Sequence, residues 1–240
     1  MPPDPVYLPL QVGARGREPI PNFARDDDGD EISARNANWC ELTGLYWAWK
    51  NLDADAVGLA HYRRHFKGAN GIATGAELSA LLESHDAILP KRRNYFIEST
   101  YSQYAHAHHA IDLDVTRQIV SELHPGYVAA FDATMKSTRG HRFNMFVMKR
   151  RMFDAYCEWL FGVLFELERR LDISAYSEYD ARVFGFVGER LLDVWLAGSE
   201  IGRGMSIAEL PVLHLESQHW PRKIFAFLRR KFLRRRENML

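Results

Sequence analysis

Glu41-Leu42-Thr43-Gly44-Leu45-Tyr46-Trp47-Ala48-Trp49-Lys50-Asn51 and, after a short polar break, Gly58-Leu59-Ala60-His61-Tyr62-Arg63-Arg64-His65-Phe66 are the stretches that decide the fold class. In the first, Leu42, Leu45, Tyr46 and Trp49 recur at i, i+3, i+4 and i+7, the spacing of one apolar helical stripe. Asn38, with Glu41 three residues later, predicts the helix cap. The second stretch reads as a short buried strand, Ala56 to Ala60, that ends in polar groups. A strand whose carboxyl end delivers His61, Tyr62, Arg63 and Arg64 together is how open α/β sheets build ligand sites, because ligands lie outside the carboxyl ends of the strands. The expectation is a central strand ending in this cluster rather than a surface turn.

The flanking sequence repeats the alternation of strand and helix. Residues 1–37 are rich in Pro, Gly and Asp and lack sustained periodicity, which predicts a loop-dominated entry with a short strand around Tyr7 to Val12. Thr74-Gly75-Ala76-Glu77 has the form of a capping box ahead of Leu78, Leu81 and Leu82. Asp86 to Pro90 reads as a strand, Ser99 to His109 and Asp112 to Leu123 as helices, and Phe143 to Met148 as another strand. That strand opens onto a long helix whose buried stripe is Phe153, Tyr156, Cys157, Leu160, Val163, Leu164 and Leu167. Tyr179 to Trp195 predicts a further helix interrupted by Gly185 and Gly188, and Pro211 to Leu215 a last strand. The fold class is therefore α/β, one domain with a parallel or mixed sheet covered on both faces.

Composition supports this reading. The chain has 240 residues, enough for one sizeable domain, and 47% of them are hydrophobic, enough for a buried core. Its two cysteines, Cys40 and Cys157, lie in apolar helical patterns and offer no disulfide framework or zinc spacing. The opening Met1-Pro2-Pro3-Asp4-Pro5 is neither basic nor apolar, and no run approaches a membrane span, so a cytoplasmic protein is expected.

A formal net charge of zero conceals an asymmetry: eight Lys or Arg and no acid lie between Arg222 and Arg236, leaving about −8 on the rest. Two regions follow, an α/β domain over residues 1–219 and a basic tail over 220–240. In the tail Arg222, Lys223, Arg229, Arg230, Lys231, Arg234, Arg235 and Arg236 interleave with Phe225, Phe227, Phe232 and aliphatic residues. That pattern predicts an amphipathic helix on an anionic membrane surface. Nucleic acid would take the same charge, but the acidic body and bulky apolar face favour lipid.

Gly29-Asp30-x-Ile32-Ser33-x-x-Asn36, Cys40-Glu41-Leu42-Thr43, Tyr46-Trp47-x-Trp49-Lys50-Asn51 and Gly58-Leu59-x-His61-Tyr62-Arg63-Arg64-x-Phe66 also carry a resemblance. With Tyr7 to Gly13, Asn144 to Met148, Trp159-Leu160-Phe161 and Arg182-Val183-x-Gly185-Phe186-x-x-Glu189-Arg190-Leu191, the chain up to Leu215 resembles a bacterial family of capsular and exopolysaccharide biosynthesis proteins. That family is catalogued as a domain of unknown function and regarded as glycosyltransferase-like. The resemblance implies a sheet like that of GT-A nucleotide-sugar transferases, a nucleotide sugar as substrate (a UDP-hexose or UDP-galactofuranose), a lipid-linked glycan as acceptor, and other polysaccharide-assembly enzymes as partners at the cytoplasmic face of the inner membrane. Family members begin with an additional strand before the segment that starts here at Tyr7, so a sheet lacking its first strand is expected. The rival reading is a non-catalytic, truncated member that binds glycan or a partner enzyme.

Glycosyl transfer needs positive charge on the departing diphosphate, from a metal held on carboxylates or from cationic side chains. Arg63 and Arg64, with Tyr62, are the expected diphosphate ligands, and His61, facing the same diphosphate, is an expected catalytic residue; the competing account is an Arg packed on a body acid and a satisfied core histidine. Asp26, Asp28 and Asp30 contain Asp-x-Asp twice and are the weaker candidates for a divalent cation, since acid-Gly runs are also ordinary solvated turns. Glu189, after Gly185 and Gly188, is the expected general base, against a surface Glu-Arg pair. Asp30, Asn36, Asn144 and Arg190 complete the expected donor- or acceptor-binding set. His106, His108 and His109 suit no common metal spacing and read as a helix face, with Tyr104 and His108 as lesser sugar contacts.

Overall fold

The computed structural model describes residues 2–94 and 97–215. The basic tail expected to bind membrane lies outside the described residues. The chain opens with β1 (Leu10–Gln11) and β2 (Ala24–Arg25), paired parallel, then short α1 (Asn36–Trp39) and α2 (Leu42–Asn51). Next come β3 (Ala56–Leu59), β4 (Arg64–Gly68), β5 (Gly71–Ile72), α3 (Gly75–Ser84), β6 (Ala87–Pro90) and β7 (Arg93–Asn94). Three helices follow, α4 (Thr100–Ala105), α5 (Ala110–Leu123) and α6 (Val128–Lys136), then β8 (Arg139–Gly140) and β9 (Phe146–Lys149). The long α7 (Arg150–Arg170), α8 (Val183–Gly198), α9 (Glu200–Gly204), β10 (Ile207–Leu210) and β11 (Val212–His214) complete the domain.

The main sheet is mixed, ordered β10-β6-β9-β3, with β10 parallel to β6 and the other pairs antiparallel. Every residue of β6 is buried, the burial of a strand covered on both faces. In β3 only Val57 is buried and Gly58 is exposed, because β3 pairs with β9 alone and stands at the sheet edge. The strand leading to His61 is thus an edge strand, not the central one that its apolar composition predicts. A second antiparallel sheet, β11-β4-β5, receives the chain as it leaves β3.

The core lies between the main sheet and α7, α8, α5 and α2. The stripe expected on α7, Phe153 to Leu167 at helical spacing, is buried throughout, and each such side chain withdraws enough apolar area to contribute about 1.5–3 kcal/mol. Trp39 stacks on Phe184 of α8 (5.0 Å) and Phe161 of α7 (6.1 Å), locking α1 against both. Gly185 and Gly188 do not interrupt α8. A Cβ at Gly185 would lie 3.2 Å from the Cys40 side chain, and one at Gly188 2.9 Å from Leu42 Cδ1, so these glycines admit α1 and α2 rather than a ligand.

Thr74 and Glu77 form the expected capping box of α3. Asn38 does not cap α2: it lies within α1 and donates to the Ala181 carbonyl (2.8 Å), while Glu41 precedes α2 without a side-chain cap. Cys40 lies outside both helices, in the turn between them, at φ 53°.

Asp26 anchors the N-terminal segment. Fully buried, it accepts hydrogen bonds from the amides of Gly13 (2.8 Å) and Ala14 (2.9 Å) and from the hydroxyls of Ser33 (2.6 Å) and Thr43 (2.7 Å). One carboxylate thereby ties the loop after β1, the segment before α1, and α2. Replacing Asp26 by Ala strands four donors, and hydrogen bonds to a charged group contribute about 1.5–3 kcal/mol each. Asp26→Ala should destabilise the domain by about 3 kcal/mol or more in urea unfolding, with Asp26→Asn intermediate.

Candidate functional site

The site is organised by Phe143 and Asn144, separated from the start of β9 by Met145 alone. Phe143 (φ 80°) and Asn144 (φ 50°) are both left-handed, a conformation costing about 1–2 kcal/mol for a residue with a Cβ, and hold it through contacts to three elements. The Phe143 amide donates to Glu189 Oε1 on α8 (2.7 Å). Its carbonyl accepts from His61 Nε2, just beyond β3. Asn144 Nδ2 donates to Glu41 Oε1 (2.7 Å) and to the Gly185 carbonyl (3.3 Å). This backbone reversal explains why β9 starts at Phe146 and not at Phe143 as its composition predicts.

His61 and Arg64 exchange backbone hydrogen bonds, 3.0 Å in each direction, closing a tight turn over Tyr62-Arg63. The polar cluster is therefore a turn between the two sheets, at the carboxyl end of β3. Tyr62 is 77% exposed, with the Arg63 guanidinium 4.6 Å from its ring centroid. The Arg64 guanidinium sits 4.4 Å from the Phe143 ring centroid, and among the described residues it makes no hydrogen bond or ion pair. The edge of His214, opposite Arg64 in register, meets the same ring (6.0 Å). Phe143 thus brings His61, Arg64 and Glu189 around one residue.

Glu189 is tied at both oxygens. Oε2 accepts from Arg190 Nη1 (2.7 Å), and Arg190 also donates to the Phe186 carbonyl (2.7 Å) and to Gln103 Oε1 (3.0 Å). Burial opposes ionisation, but Arg190, the Phe143 amide, Arg142 and His61 outweigh it and hold the carboxyl below its ordinary 4.5. Among the described residues Asn144 Oδ1 and Arg190 Nε are buried without a hydrogen-bond partner, unusual for polar atoms in a packed interior.

The other expected ligands lie elsewhere. Asp30 accepts from the Tyr46 hydroxyl (3.1 Å), and Asn36 donates to the Cys40 carbonyl (2.7 Å) and Thr43 (3.1 Å). Asp28 accepts from the adjacent Gly29 amide (2.9 Å) and Asp26 is saturated, so the acidic run braces a loop. Among the described residues no three His, Cys, Asp or Glu side chains converge as metal ligands. His108 stacks on Phe186 (4.2 Å) and meets Asp180 (3.3 Å), while His106 pairs with Glu98 (2.8 Å).

Sequence reasoning missed Phe143 and Glu41, and it missed His141, buried between Asp193 (2.5 Å) and Glu209 (3.3 Å). The dense run His141-Arg142-Phe143-Asn144 before an apolar strand was the available signal. No helix among the described residues is long and apolar enough to cross a membrane.

Because the folded pKa of Glu189 lies below its unfolded value, its stabilising contribution is present above about pH 4.5 and is lost as pH falls through the folded pKa. The stability difference between the wild type and Glu189→Gln in urea titrations should therefore favour the wild type at pH 6 and shrink by pH 3.

Comparison with known proteins gives the chain a family and a fold neighbour. No curated protein matches the chain. The apo structure of WbbM, a bifunctional glycosyltransferase, matches with a TM-score of 0.82 at 28% sequence identity over 90% of this chain. This chain spans 43% of the length of that protein. With residues 1–200 matching its profile, the chain belongs to the family described as Domain of unknown function (DUF4422).

Proposed function

We propose that this protein is a glycosyltransferase of bacterial surface-polysaccharide assembly, moving a sugar from a nucleotide donor to a lipid-linked glycan. The likeness to WbbM supports the transferase class, and one observation carries the site assignment: the Arg64 guanidinium, without a hydrogen-bond or ion-pair partner among the described residues, is held over Phe143 beside His61. A departing diphosphate needs a preorganised positive charge of this kind. Arg64 supplies it, Arg63 and Tyr62 border it from the turn, and the buried Asn144 and Arg190 back it through Glu41 and Glu189. A UDP-hexose or UDP-galactofuranose is the donor class; a divalent cation, if used, is not held by the Asp26 to Asp30 run, whose side chains are engaged in the loop.

UDP release from a UDP-hexose and from UDP-galactofuranose, with and without a lipid-linked glycan acceptor, tests the reading. Arg64→Ala should lower kcat/KM about 10²-fold, and Arg64→Lys should fall less. A folded wild type that releases no UDP from either donor but binds the glycan would favour the non-catalytic reading.

The basic tail supports a location at the cytoplasmic face of the membrane, where a lipid-linked acceptor and other assembly enzymes would lie. Each cation near anionic headgroups contributes about 1 kcal/mol, and salt screens the attraction. The full chain should sediment with phosphatidylglycerol vesicles at low salt and dissociate at high salt. Deletion of residues 220–240 should abolish sedimentation while the unfolding midpoint stays unchanged.

A further inference from the structure

Acceptor activation requires a group able to take a proton, and Glu189 is badly placed for it. Oε1 is occupied by the Phe143 amide and Oε2 by Arg190, each at 2.7 Å. A carboxylate so engaged must give up a charge-assisted hydrogen bond before it can act as a base, and its depressed pKa lowers its appetite for the proton.

His61 is arranged in the opposite way. Its Nε2 lies against the Phe143 carbonyl. A carbonyl oxygen carries no proton, so Nε2 holds the hydrogen and donates it, which in the neutral ring leaves the lone pair on Nδ1. Among the described residues Nδ1 has no hydrogen-bond partner, and the ring is half-buried on the turn that carries Arg64.

We infer that His61 Nδ1 takes the proton from the acceptor hydroxyl, and that Glu189 is a positioning residue acting through the Phe143 peptide. This assignment rests on the transferase reading above. Glu189 fixes the Phe143 amide, the same residue's carbonyl fixes His61 Nε2–H, and the tautomer that exposes Nδ1 follows. As the acceptor oxygen bonds to the anomeric carbon, the bond from that carbon to the diphosphate oxygen breaks. Its electron pair leaves on the nucleoside diphosphate beside Arg64, and the hydroxyl proton passes to His61 Nδ1; no group is oxidised or reduced.

Long-range nitrogen–proton NMR of the full chain, labelled with ¹⁵N-histidine, reads the tautomer directly. His61 should be the Nε2–H form, both in the wild type and in Glu189→Gln, whose amide oxygen can still accept from Phe143. In UDP-release assays His61→Ala should lose about 10²–10⁴-fold in kcat, with part restored by added imidazole. His61→Gln, which can still donate to the Phe143 carbonyl and keep the turn folded, should be equally slow. Glu189→Gln should lose no more than about tenfold, mostly in KM.

An Nδ1–H tautomer in the wild type overturns the assignment. So does a Glu189→Gln loss in kcat as large as that of His61→Ala, or a His61→Ala rate equal to wild type, and in both cases the transferase reading stands. A wild type that turns over no nucleotide sugar overturns that reading and this assignment with it.

Discussion

The hydrogen bond from the Phe143 amide to the Glu189 carboxylate is the contact on which the rest of the site depends. Two successive left-handed residues with side chains are unfavourable by about 1–2 kcal/mol each, and a charge-assisted hydrogen bond returns about 1.5–3 kcal/mol. The reversal persists only because Glu189, the Gly185 carbonyl and Glu41 hold it from α8 and from the start of α2. Without it the Phe143 carbonyl could not meet His61, nor its ring lie under Arg64. Local strain is thus converted into the positions of the His61 ring and the Arg64 guanidinium.

Behind Glu189 the packing is polar and closed. Arg190 lies over the Tyr104 ring (5.0 Å), and the hydroxyls of Tyr104 (2.7 Å) and Tyr176 (2.6 Å) converge on buried Asp112. Burial raises the Asp112 carboxyl above its ordinary range despite the two phenol donors. Such a network, nearly satisfied, makes alternative rotamers of Arg190 costly because each would strand a buried partner. Stiffness on this side contrasts with the Tyr62-Arg63 tip on the other, which is exposed to solvent.

The local parts of this design were legible in the sequence. Helical spacing gave the α7 stripe and the α2 face, and Thr74 with Glu77 marked its helix start, because these depend on neighbours within one turn. The clustering of His61, Tyr62, Arg63 and Arg64 at a strand end was likewise readable. The edge position of β3 was not, since it depends on which distant strands take the centre, and β6 and β9 present the more continuously buried faces. Nor could composition distinguish Asp26, saturated by four donors, from a metal-ready acid. Gly185 and Gly188 read as interruptions of a helix, when α8 runs through both and they admit Cys40 and Leu42. Phe143, an aromatic before an apolar run, looked like strand; only Glu189 and His61, distant in sequence, make it a turn.

The location of Arg64 is settled by a sheet change at the far end of the chain. Pro211 separates β10 from β11, and having no amide proton it cannot extend the β10 ladder as a donor. Its carbonyl instead accepts from the Lys67 amide (2.8 Å), which starts the pairing of β11 with β4 and sets Arg64 opposite His214. One step further, the Leu215 amide donates to the Arg63 carbonyl (3.0 Å). The turn is therefore held on one side by β11 and on the other by His61 and Phe143. Backbone pairing on both flanks fixes where the Arg64 side chain leaves the main chain, and the Phe143 ring fixes its far end; on the proposed reading, little reorganisation is then left to oppose binding of a diphosphate.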